Sequence, residues 1–355
     1  MNALRSRFWI LLFFFLSGIT GLIYEVVWTR LITLVMGNTH YSVATVLTAF
    51  MGGLALGSFL GGRFIDQKGR PLIVYAVLEA CIGVYCFFIP VIIQAAFPVL
   101  KWMYAGYHES PLQLGFLRFL VCGAILLVPT AFMGATLPAL SKFVSSRSEF
   151  IARDVGALYA VNTFGAVLGA ISSAFILMPW LGLQGSISLA AGINAVIAAS
   201  IFLFFPYRQD CFRERGLVEQ GGEEPREKGW NRALVLWVFG FSGVSALIYQ
   251  VAWNRIFSLV LGSSVYAFSL IVTTFIFGIA LGAAAFSRWR YTSGDLIKTF
   301  GFLQAGIGVS ALLVLPLFGF VPLLNRWIYQ NMGVDFAALQ WTNFLIIFSF
   351  FFFLF

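Results

Sequence analysis

The chain has 355 residues, of which 60% are hydrophobic and only 10% charged, with a mean hydropathy of +0.92 and a formal net charge of +8. Water-soluble domains of this length carry far more charge, which excludes a soluble enzyme and points to a polytopic membrane protein. The basic balance marks topology and not a nucleic-acid partner, because the cations gather in short segments between long apolar runs.

From Phe8 onward, apolar runs of about 20 residues recur, each enough to cross a ~30 Å hydrocarbon core at ~1.5 Å per residue. They lack the alternation of a membrane barrel, so the expected fold is all-α. Helices are predicted over residues 8–36, 42–62, 72–96, 114–138, 157–180 and 184–206, then over 233–261, 267–287, 297–320 and 340–355. The predicted organisation is therefore a first membrane repeat over 1–206, a charged cytoplasmic linker over 207–232, and an incomplete second repeat over 233–355.

The first helix carries SGITGLIYEVVWTR, Ser17 to Arg30, and the seventh carries SGVSALIYQVAWNR, Ser242 to Arg255, a shift of 225 positions. The register continues through Gly37/Gly262, Tyr41/Tyr266, Thr48/Thr273, Gly53/Gly278, Gly57/Gly282 and Arg63/Arg288, so the chain is an internal duplication. Arg5 and Arg7 ahead of an apolar run imitate a signal peptide, but the repeat partner of this run lies mid-chain, where no cleaved leader sits. Gly37-Asn38 and Gly262-Ser263 close tight turns after the first helix of each half. In the second helix Gly52, Gly53, Gly57, Gly61 and Gly62 recur at close spacing, which lets helices approach in lipid and reads as packing.

Between the second and third helices, GRFIDQKGRP (Gly62–Pro71) supplies Asp66, Lys68, Gly69 and Arg70. This resembles the cytoplasmic loop motif of the major facilitator superfamily, although Gln67 stands where a basic residue is common and the second half, with Ser287, Arg288 and Arg290, lacks the Asp and Gly. Arg5, Arg7, Arg63, Lys68, Arg70, Lys142, Arg147, Arg153, the cluster Arg208–Arg232, Arg288, Arg290 and Lys298 fall on one side, and only Lys101 and Arg326 in loops on the other. The positive-inside rule then makes the N-terminus cytoplasmic, in a bacterial-type inner membrane.

The fourth helix ends in PTAFMGATLPAL (Pro129–Leu140) and the fifth begins LYAVNTFGAVLGA (Leu158–Ala170). With SGITGLIYEVVWTR and FMGGLALGSFLGGR, these motifs resemble the membrane region of spermidine synthase-like proteins, in which facilitator-like helices are fused to a soluble aminopropyltransferase domain. The resemblance implies polyamine biosynthesis in the parent protein, by aminopropyl transfer from decarboxylated S-adenosylmethionine as cosubstrate to putrescine. No cofactor is expected in this chain. Gly221-Gly222-Glu223-Glu224 follows no strand and reads as solvated connector, so the C-terminal soluble domain is expected to be missing here. The repeat sets Phe355 opposite Thr130, inside a helix, which gives the expectation that the sequence is a fragment.

A charge inside a membrane costs roughly 2.5–3.5 kcal/mol on insertion scales, so each one asks for a partner or a function. Glu25, Arg30, Glu79 and Arg118 in the first half stand opposite Gln250, Arg255, Gln304 and Asn343 in the second. Glu25 is expected about 25 Å along its helix, in the outer half, clustered with Arg30 and Arg118, while Glu79 is expected apart from them. One reading is helix packing. The other is a substrate site of Glu25, Tyr24, Trp28, Arg30, Arg118, Gln250, Trp253 and Arg255 between the halves, with Glu79, Gln304 and Asn162 as secondary members. An amine suits the carboxylate and the indoles of Trp28 and Trp253. The three arginines suit an anion, and the sign of the ligand stays open. Cys81, Cys86, Cys122, Cys211, His40 and His108 show no metal-ligand spacing. A transporter of a polyamine or another small organic ion and a lipid-embedded anchor without transport are the competing functions.

Overall fold

The structure, a computed structural model, describes residues 3–37, 39–66, 70–145, 151–204, 232–261, 265–288 and 296–332, together with residues 342 and 345. Among these, every regular element is helical: α1 (Ala3–Met36), α2 (Thr39–Asp66), α3 (Pro71–Tyr107), α4 (Pro111–Ser145), α5 (Ile151–Ser172), a π-helical turn (Ser173–Leu177) and α6 (Met178–Phe204). Then follow α7 (Arg232–Leu261), α8 (Val265–Arg288), α9 (Leu296–Val314), a 3-10 turn (Leu315–Phe320) and α10 (Val321–Met332). Seven helical spans are long and apolar enough to cross a membrane, which is compatible with a multi-pass membrane protein.

One of these spans, Val155–Phe204, has 50 residues. A straight helix of that length would run about 75 Å, more than twice the hydrocarbon core. The chain instead reverses at Gly182, whose φ of 68° and ψ of −176° are not helical. Before the reversal α5 runs parallel to α1, with Gly165 on Phe15 and Gly169 on Ile19. After it α6 runs antiparallel to α1: Ile187 and Ala190 pack with Tyr24 and Val27, whereas Ile197 and Ile201 pack with Ile10 and Phe14.

Two expected boundaries are corrected. Helix α3 does not stop near residue 96 but runs through Pro98 and Lys101 to Tyr107, so Lys101 lies in a helix and not in a loop. A single proline removes one backbone donor and bends a helix without necessarily ending it. The expected loop after residue 320 contains α10, with Arg326 inside it. Together α9, the 3-10 turn and α10 span Leu296–Met332, which is Pro71–Tyr107 shifted by 225, so this element has the extent of α3 with an interruption at Pro316. The expected helix over 340–355 lies outside the described residues except for 342 and 345, as do linker residues 207–231.

Close backbone approach holds the first half together. Gly53, Gly57 and Gly61 on α2 face Thr130, Ala131 and Ala135 on α4, and a β-carbon on Gly57 would collide with the Ala131 carbonyl. Ser58 Oγ donates to the Gly134 carbonyl across the same seam at 2.9 Å. In lipid, where burial drives nothing, such contact and hydrogen bonding supply the association energy. Two helix ends are closed by side chains from neighbours: Lys142 Nζ donates to the Ile65 carbonyl at 2.6 Å and Arg118 Nη1 to the Met36 carbonyl at 3.1 Å. Gly37, with φ of 69°, closes α1 by donating its N–H to the Thr33 carbonyl. The halves meet where Ser269 Oγ of α8 donates to the Ala170 carbonyl of α5 and Tyr266 packs on Phe175.

Candidate functional site

Tyr24 and Glu25 are neighbours in sequence, but successive helical residues point about 100° apart, and the structure sends them to different places. Ser17, Thr20 and Tyr24 share one face of α1, turned toward α3 and α6. Ser17 Oγ donates to Glu79 Oε1 at 2.6 Å, and Asn194 Nδ2 donates to Glu79 Oε2 at 2.6 Å. The Tyr24 hydroxyl donates to Asn194 Oδ1 at 2.8 Å, and Asn194 Nδ2 also reaches Thr20 Oγ1 at 3.2 Å. Glu79 and Asn194 are fully buried. Glu79 lies apart from Glu25, as expected, at the centre of a polar network that joins three helices. Trp28 stacks on Tyr24 with ring centroids 5.5 Å apart and lies within the apolar cluster of the first half.

Glu25 faces elsewhere. It is 2% exposed, and its carboxylate forms no hydrogen bond or ion pair with a described residue. Its neighbours Leu22 and Val26 belong to the cluster that joins α1, α2 and α5 to Phe268 and Val272 of α8, with Val251 of α7 packed against it. Gln250, the repeat equivalent of Glu25, adjoins Val251, is 2% exposed and leaves Oε1 without a partner. Ser173 Oγ in the π turn, Thr273 Oγ1 in α8 and Trp28 Nε1 are also buried and unpartnered. Each unsatisfied buried group costs roughly 1–3 kcal/mol and calls for water, an ion or a ligand. Sequence reading missed Ser173 and Thr273, although Thr48/Thr273 is one of the repeat pairs.

The arginines do not join Glu25, which corrects the expected cluster. Arg118 donates to Met36, eleven residues beyond Glu25, or about 16 Å along the helix, beyond the reach of one side chain. It also lies over the Tyr104 ring at 5.9 Å. Arg30 and Arg255 are exposed. Arg255 lines a cleft of about 350 Å³ with Asn254, Val251 and the His40–Val43 end of α2. Trp253 is buried with Phe257, Leu270 and Ile271. Asn162 Nδ2 donates to the Phe14 carbonyl at 2.9 Å, a helix–helix bond. Gln304 Nε2 donates to Ser242 Oγ at 2.6 Å.

Of the loop motif, Lys68 and Gly69 lie outside the described residues, Asp66 ends α2, and Arg70 precedes α3 in an exposed position. Asn343 also lies outside them. Among the described residues no three His, Cys, Asp or Glu side chains gather as a metal site would need.

Three curated proteins are similar to this chain in sequence. Polyamine aminopropyltransferase 1 of Streptomyces coelicolor is 26% identical over 218 residues, 61% of this chain and 37% of the relative. Polyamine aminopropyltransferase 2 of the same organism is 24% identical over 209 residues, 59% of this chain and 36% of the relative. Polyamine aminopropyltransferase of Corynebacterium efficiens is 24% identical over 200 residues, 54% of this chain and 35% of the relative. The chain thus spans about a third of the length of the curated relatives it matches. No family model and no solved structure matches.

Proposed function

We propose that this chain is the membrane module of a polyamine aminopropyltransferase-like protein and serves polyamine metabolism from within the bilayer. The observation that carries the reading is the extent of the similarity. A match of 218 residues cannot be laid on this chain without taking in several of its membrane-length helices, which supports a helical module common to this chain and the aminopropyltransferases. In this reading the N-terminus and linker 207–232 are cytoplasmic, the duplicated halves are facilitator-like, and aminopropyl transfer from decarboxylated S-adenosylmethionine belongs to a soluble domain outside this sequence.

A second reading, passage of a small organic cation between the halves, is favoured by the orphaned polar atoms. Gln250 Oε1 is a buried acceptor without a donor, and Glu25, itself 2% exposed, makes no side-chain hydrogen bond or ion pair with a described residue; the two lie on elements that meet at the junction of the halves. Ammonium groups of putrescine or spermidine supply donors and match the carboxylate charge. Arg118, drawn off to cap α1, no longer argues for an anion.

The test is uptake and equilibrium binding of radiolabelled putrescine and spermidine with the purified protein in vesicles. Glu25→Gln is expected to abolish both with the fold intact. Unchanged uptake in E25Q removes Glu25 from the site. Failure of the wild type to bind either amine leaves the bundle as an anchor for the enzyme.

A further inference from the structure

Both oxygens of the Glu79 carboxylate accept direct hydrogen bonds, from Ser17 and from Asn194. Charge compensation is nevertheless lacking. No Lys, Arg or His forms an ion pair with Glu79 among the described residues. The titratable groups facing it are Tyr24 from α1, and Tyr75 and Cys86 from α3 itself. Helix α6 brings the Asn194 amide. Helix α4 brings Cys122 into the same apolar cluster as Cys86 and directs its Arg118 to the Met36 carbonyl. The Tyr75 hydroxyl, one turn from Glu79 and fully buried, lies against the carboxylate without a hydrogen bond of good geometry.

The second half supplies the comparison. Ser242 and Gln304 stand 225 residues on from Ser17 and Glu79, and they are joined at the same 2.6 Å with the donor reversed, Gln304 Nε2 donating to Ser242 Oγ. Tyr75 corresponds to Phe300, so the acid and its neighbouring hydroxyl are absent from that copy together. An amide therefore suffices to tie these two helices, and a carboxyl at this depth costs more to insert. What the carboxyl adds is a proton that can come and go.

We infer that Glu79 is a proton-binding site, with Asn194, Tyr24 and Thr20 as the hydrogen-bond chain that responds to its occupancy. A proton from the aqueous phase adds to Oε2, taking the carboxylate from −1 to neutral and turning that oxygen from acceptor to donor. Asn194 Nδ2 cannot receive it. Rotation of the amide presents Oδ1 to Glu79 and to the Thr20 hydroxyl and turns Nδ2 to the Tyr24 oxygen, so the chain joining α3, α6 and α1 reverses its polarity. Release of the proton to water restores the observed arrangement, and no bond between heavier atoms changes. Direct bonds to both carboxylate oxygens leave room for a proton but not for a metal cation with its several oxygen ligands.

The proposal is independent of the amine reading. Its test is pH-difference infrared spectroscopy of the full chain in detergent, following the stretching band of protonated carboxyl groups slow to exchange in heavy water. Because Glu25 is also buried, the measurement is made in the E25Q background. A titrating, slowly exchanging band is expected there, lost completely in E25Q/E79Q and shifted in frequency in E25Q/N194A. Glu79→Gln reproduces the Ser242–Gln304 pair and is expected to keep the thermal midpoint, so loss of the band will not reflect unfolding. Absence of any such band in E25Q, or its survival in E25Q/E79Q, overturns the proposal, as does a band whose position follows sodium concentration at fixed pH.

Discussion

At the scale of single residues, the contacts that decide this fold are made by what the glycines lack. Gly57 and Gly62 both lie on α2, but a β-carbon on Gly57 meets the Ala131 backbone, whereas Gly62 has nothing within 4 Å. Gly57→Val is therefore expected to force α2 from α4 and cost about 1–3 kcal/mol as an overpacked contact, read as a lowered thermal midpoint in detergent. Gly62→Val is expected to leave the midpoint unchanged, and equal effects would show that β-branching in a helix, not the seam, is responsible. The seam was legible in the sequence because small residues three and four apart announce a helix–helix contact by themselves. The environment of Glu79 was not, because it depends on Asn194, 115 residues away, and no local pattern names that partner. A signal did exist: Ser17, Thr20 and Tyr24 form a polar stripe on one helical face, matched in the second half by Ser242, Ser245 and Tyr249. Placing Tyr24 and Trp28 in one site with Glu25 overlooked the rotation between successive helical positions.

At the scale of elements, the chain's most exacting demand is the reversal between α5 and α6. Gly182 combines a φ of 68° with a ψ of −176°, a region that only glycine enters without strain. Gly182→Ala is expected to destabilise by roughly 1–3 kcal/mol, although a β-carbon there meets no neighbour. Gly37, with φ of 69°, caps α1, where asparagine is tolerated. Gly37→Asn is thus expected to hold most of its stability, and calorimetry of the two variants side by side separates backbone strain from crowding. Helix existence was readable from apolar runs alone. Helix length was not, because α3 and its counterpart continue past the apolar stretch into segments with proline and charge, which sequence reading takes as ends.

At the scale of the molecule, the two copies of the sequence repeat divide the chemistry. The first holds the buried acids Glu25 and Glu79; the second holds amides at both positions. A bundle used only as an anchor has no need to move its halves, whereas passage of an amine between them requires the α5–α8 junction to slide or open. The junction offers a direct test, since Ala170 and Ser269 are both fully buried and joined by a side-chain to backbone hydrogen bond. With Cys81, Cys86, Cys122 and Cys211 replaced by alanine, A170C/S269C oxidised to a disulfide is expected to stop putrescine uptake, and reduction to restore it. The cross-linked protein is expected to keep its binding of labelled putrescine, because the lock fixes the halves without touching Glu25 or Gln250. Uptake that continues at the wild-type rate with the link in place would mean that the junction is static, and that Glu25 is a buried acid serving some purpose other than passage.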